Sequence, residues 1–77
     1  MKDQIINILT DLRPEFDFTQ EGINFIEEGM IDSFDMVALV SDLESQFDVT
    51  IDGIDIVPEN FESVEAIINL LKKNGAK

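Results

Sequence analysis

Apolar residues recur along this chain at helical spacing, then without a period, then at helical spacing twice more. Ile5, Ile8, Leu9 and Leu12 lie three and four apart and predict a first helix from about Lys2 to Leu12. Pro14 disfavours helical backbone at Arg13 and ends it. Residues 14 to 32 show no sustained period. A loop of that length in a small domain is usually functional or pinned to the core. Phe16, Phe18, Ile23, Phe25 and Ile26 are available to pin it, and Gly22 and Gly29 to turn it.

The helical pattern returns at Ser33. Val37, Val40, Leu43, Glu44 and Phe47 fall on one stripe, flanked by Phe34, Met36 and Leu39, so the helix should end near Phe47. Asp32 or Ser33 can cap it by accepting an unpaired backbone N–H, and Asp35 stands in the first turn, where the helix dipole favours negative charge. Val49-Thr50-Ile51 is β-prone but too short to found a sheet. Asp52-Gly53 makes a turn, and a single helical turn is expected over Ile54 to Val57, before Pro58. Asn60 or Ser63 caps a last helix with Val64, Ile67, Ile68 and Leu71 on its apolar face. Lys72 and Lys73 close it where the dipole favours cations, and Gly75 follows. These elements predict an all-α fold: a small four-helix bundle, three helices long and one short, with a long first loop.

Length allows one domain, residues 1–77, with a modest buried fraction. No sequence repeat or Pro/Gly-rich linker divides it. The chain has neither Cys nor His, which removes disulfides, thiolate and imidazole zinc sites, and most nucleophilic catalysis. An enzyme is not expected. The N-terminal apolar runs are short and broken by Asn7, Thr10 and Asp11, which suits neither a signal peptide nor a membrane span. A cytoplasmic protein, with no membrane partner, is the expectation.

Charge changes the picture more. The chain carries 17 acidic and 5 basic side chains, a net of -12. All the acids except Asp3 and Asp11 lie between Arg13 and Lys72, and no base lies among them. Such a field repels nucleic acid and anionic lipid and attracts basic protein surfaces or divalent cations. Partners should be positive proteins. No helix shows a second apolar stripe, which points to a monomer.

Ser33 is the candidate for chemistry. It stands in Asp32-Ser33-Phe34-Asp35, which opens an amphipathic helix after a long loop in an acidic helical chain. An ordinary N-cap serine would occupy the same place. The stretch DSFDMVALVSDLESQFDVTI, residues 32 to 51, resembles acyl carrier proteins and the related peptidyl and D-alanyl carrier domains. Order and spacing along nearly the whole chain follow the same family, and Phe61-Glu62-Ser63-Val64-Glu65-Ala66-Ile67 is similar to the start of its last helix. The family motif is usually Asp-Ser-Leu, and here Phe34 takes the leucine position. Met30-Ile31 stand where many fatty-acid carriers have smaller residues, a lean toward stand-alone peptidyl or D-alanyl carriers.

The resemblance implies an acyl-carrier-like bundle with a covalent 4′-phosphopantetheine on Ser33, flanked by Asp32 and Phe34. The arm would carry acyl or aminoacyl groups as thioesters in fatty-acid, polyketide or related biosynthesis. Partners would be a phosphopantetheinyl transferase and acyl- or aminoacyl-handling enzymes with basic docking surfaces. The helix after Ser33 would dock, with Asp35, Asp42, Glu44 and Asp48 as the pairing carboxylates and Glu27, Glu28, Asp52 and Asp55 extending the rim. Pairs of this exposed kind are individually worth about 0–1 kcal/mol, which suits brief, salt-sensitive visits. Phe34, Met36, Val40, Ile51, Ile56, Phe61 and Ala66 either line a cargo cleft or fill the core. Bottom-up chemistry agrees with the role of Ser33. A helix N-terminus has free N–H groups suited to a phosphodiester, and nothing nearby can deprotonate the hydroxyl. Ser33 is then a substrate, and the thiol absent from the chain arrives with the arm.

Two other readings compete. Asp48, Thr50, Asp52, Gly53 and Glu59 approach the EF-hand calcium loop, and Asp17, Thr19, Glu21, Gly22 and Glu28 repeat the spacing. Against it, loop position 8, normally apolar, holds Asn24 and Asp55, and position 9 holds Phe25 and Ile56. Pro58 and Gly29 interrupt the exit helices. The third reading is an acidic helical interaction module with Ser33 unmodified.

Overall fold

A computed structural model describes residues 1–76 of the chain. Three α-helices form: α1 over Lys2–Leu12, α2 over Ser33–Phe47 and α3 over Val64–Lys73. The fold is all-α, with no strand among the described residues. In place of one short helix at Ile54 to Val57 there are two 3-10 turns, Gly53–Asp55 and Pro58–Asn60. Pro58 explains the division, because its ring and missing N–H start a new turn rather than extend the last. Asp52 caps the first turn, its side chain accepting the Ile54 N–H at 3.2 Å.

The helix ends follow local chemistry. Ser63 caps α3, its hydroxyl accepting the Ala66 N–H at 3.0 Å. Asp48 closes α2 in the left-handed region, with φ 52°. Glu44, near that end, accepts the Ile51 N–H at 2.8 Å and so ties the chain beyond the helix back onto it.

α1 packs against both α2 and α3. The end of α1 at Arg13 meets the start of α2, whereas Met1 and Gln4 share a cavity wall with Phe47, Asp48 and Ala76. α1 and α2 are therefore antiparallel, and Ser33 lies at the end of the bundle away from Met1. The core gathers Ile5, Leu9, Leu39, Leu43, Ile67 and Leu71, all fully buried.

The long first loop is pinned. Phe18 and Phe25 are buried and meet edge to face, 5.1 Å between centroids. The Phe25 N–H donates to the Glu62 carbonyl at 2.8 Å, and the Asn24 amide donates to the Glu62 carboxylate at 3.0 Å. Gly22 and Gly29 both take positive φ, 74° and 72°, where a side chain would be strained. Met30 and Ile31 are buried immediately before the site. The loop thus delivers Asp32 to a fixed position.

The apolar face of α2 is rotated from the expected one. Met36, Leu39, Val40 and Leu43 are buried, while Val37 is 68% exposed and Phe34 87% exposed. Met36, Leu39, Val40 and Leu43 also lie three and four apart, so period alone did not distinguish the two stripes. Phe34 and Val37 form a second, short apolar strip on the outer face.

Candidate functional site

Asp32, rather than Ser33, is the cap of α2. Its side chain accepts the Asp35 N–H at 3.0 Å, and the Asp35 carboxylate accepts the Asp32 N–H at 3.2 Å, a reciprocal capping box. Ser33 is left as the first helical residue, exposed, between the two halves of the box. Phe34 beside it projects into solvent, with Val37 one turn on.

Arg13 completes the arrangement from outside the helix. Its Nε–H donates to Asp35 Oδ2 at 2.9 Å, and Nη2 lies 2.8 Å from the same oxygen. Nη2 is also 3.5 Å from Asp32 Oδ2, and Nη1 is 3.5 Å from Glu15. Burial pushes the Asp35 carboxyl up, but the Arg13 hydrogen bond, the Asp32 N–H and the guanidinium charge outweigh it, and its pKa lies below the ordinary value. The hydrogen bond to Asp35, and then that carboxylate's charge, raise the pKa of Arg13.

This arrangement corrects part of the expected docking set. Asp35 is 8% exposed and already paired, so it is an internal anchor rather than an outward carboxylate. Glu44 is half-buried and engaged with the Ile51 N–H. Asp42 and Asp48 are exposed. Asp48 is fifteen residues beyond Ser33, about 22 Å away along the helix axis. In the rim, Glu27, Glu28 and Asp52 are exposed, but Asp55 is 7% exposed and holds Lys73 at 2.7 Å. That hydrogen bond lowers the Asp55 carboxyl, against the opposing effect of burial.

The proposed cleft residues divide the same way. Met36, Val40, Ile51 and Phe61 are buried in the core, Ile56 and Ala66 are half-buried, and Phe34 is outside. A cavity of about 420 Å³ lies elsewhere, against the first loop, where Phe18, Ile23, Phe25 and Val64 share the wall with Lys2, Gln20, Glu21 and Glu65.

The calcium-loop pattern does not acquire its geometry. Glu59 sits in a three-residue 3-10 turn and Glu28 in a turn, where an EF-hand requires exit helices. Asp17 is turned onto Thr19, accepting both its N–H and its hydroxyl. Among the described residues no three acidic side chains are grouped to hold a metal ion. No described helix is long and apolar enough to cross a membrane.

Sequence reasoning gave Arg13 no part in this site and placed Val37 on the inner stripe of α2, whereas the structure turns Val37 outward. Arg13 carried a signal, as the lone base between Lys2 and Lys72. No family model matches the chain, and comparison with curated proteins finds no match either.

Proposed function

We propose that this protein is an acyl carrier, one that bears 4′-phosphopantetheine on Ser33 and presents acyl or aminoacyl groups to partner enzymes. The observation that carries the reading is Ser33 itself. It is an exposed hydroxyl on the first turn of a capped helix, in a chain with no imidazole or thiol to make it a nucleophile of its own. A serine so placed is suited to being modified by another enzyme.

The residues around it fit the group. The Asp35 N–H is spent on the capping box, and the Ser33 and Phe34 N–H groups with the helix dipole favour a phosphodiester at this point. Asp32 is occupied in capping, its carboxylate accepting the Asp35 N–H. The bound group supplies the thiol that the chain lacks. In the modification Ser33 Oγ attacks the β-phosphorus of coenzyme A. An O–P bond forms, the P–O bond to 3′,5′-ADP breaks, and a base of the transferase takes the serine proton.

Phe34 and Val37 form an apolar strip beside Ser33, and Asp42 and Asp48 continue the exposed side of α2 with negative charge. Basic enzymes with a small apolar recess suit that surface. Three α-helices with turns at Gly53–Asp55 and Pro58–Asn60 also suit a carrier bundle, the turns taking the place of its short helix.

Intact mass after incubation with coenzyme A and a broad-specificity phosphopantetheinyl transferase tests the reading. One phosphopantetheine increment on the wild-type chain, absent from Ser33→Ala, is expected. No increment under conditions that modify a known carrier would refute it.

A further inference from the structure

We infer that Arg13 is a positioning residue for the modification of Ser33, acting through Asp35 and Asp32, an inference that rests on the carrier reading above. Asp32 and Asp35 bracket Ser33 and Phe34 and cap each other. That box orders the first turn of α2 within the helix, but says nothing of its place in the molecule. Arg13, at the end of α1, takes Asp35 with two nitrogens at 2.8 and 2.9 Å and reaches Asp32 with one of them at 3.5 Å. One planar guanidinium thereby joins both halves of the box to a second helix, a geometry that lysine's single ammonium does not reproduce.

The chain has neither imidazole nor thiol to activate Ser33, so the contribution argued for it in the transfer is placement of the hydroxyl. Displacing a reacting atom by about 1 Å can cost on the order of a hundredfold in rate. Arg13 has an electrostatic effect of opposite sign. Among the described residues it is the lone cation beside Glu15, Asp32 and Asp35. Removing it makes the docking end more acidic and strengthens attraction to a basic transferase. Placement and attraction therefore separate in the kinetics.

The test is steady-state transfer from coenzyme A to the full chain, comparing wild type with Arg13→Gln and Arg13→Lys. For Arg13→Gln, kcat should fall about tenfold or more while KM for the carrier stays level or drops, and Arg13→Lys should recover part of kcat. Amide exchange at Asp35 and Met36 should quicken while that at Ile67 holds. An unchanged kcat overturns the inference. So does a raised KM at constant kcat, which is the signature of a partly unfolded substrate. If Arg13→Gln does not fold, the decision passes to Arg13→Lys, whose kcat must lie below wild type. A wild-type chain that gains no mass overturns the carrier reading instead, and this inference with it.

Discussion

At Asp35 a carboxylate turns inward and one guanidinium balances it. Its folded pKa is depressed, so the pair supports the fold at any pH above the ordinary carboxylate range. That support is lost as pH falls through the range towards the depressed value. Asp55, held by Lys73, acts in the same direction. Asp35→Asn should therefore lower stability at pH 7 yet leave a shallower loss over the acid interval below about pH 4 than wild type shows. Urea midpoints across that interval measure it, and parallel acid limbs would contradict the assignment. Asp35, Asp42, Glu44 and Asp48 were equally visible in the sequence as charges. Which of them turn inward depends on Arg13 and the Ile51 N–H, partners 22 and 7 residues distant, and no local pattern carries that information.

The helices themselves were legible because their ends are set locally. Pro14 stops α1, Asp32 and Ser63 cap α2 and α3, and the predicted bounds of α1 and α2 match the observed ones. The buried face of α2 was not legible, since two overlapping stripes share one period and packing against α1 selects between them. The end of α2 shows a conflict. Asp48 holds φ 52° and places a negative charge at the negative end of the dipole. Asp48→Asn removes the charge and should stabilise by about 0.3–1 kcal/mol. Asp48→Gly also removes the backbone strain, adding up to about 1 kcal/mol more. Thermal melts of the pair resolve the two effects; a loss of stability in both would refute the dipole argument and mean that the Asp48 carboxylate makes a stabilising contact.

For the molecule as a whole, a net charge of -12 opposes compaction. Added salt should raise the unfolding midpoint by screening it, most steeply at low ionic strength. Calcium and magnesium at equal concentration should raise it equally. A saturable excess for calcium would revive the EF-hand pattern. The acidic balance was plain in composition, and so was the absence of cysteine and histidine. The tie between the middle of the first loop and the segment before α3 was not. It runs from Asn24 and Phe25 to Glu62, a pairing across 37 and 38 residues that sequence periodicity cannot register.

The edge-to-face rings of Phe18 and Phe25 also make the loop observable. Aromatic ring currents shield protons held over a ring face, so ring protons at this contact resonate upfield of their usual place. Those lines report whether the loop is seated, independently of the helical content seen by circular dichroism. Any ligand or partner that lifts the loop while sparing the helices would collapse that dispersion and leave the far-ultraviolet spectrum as it was.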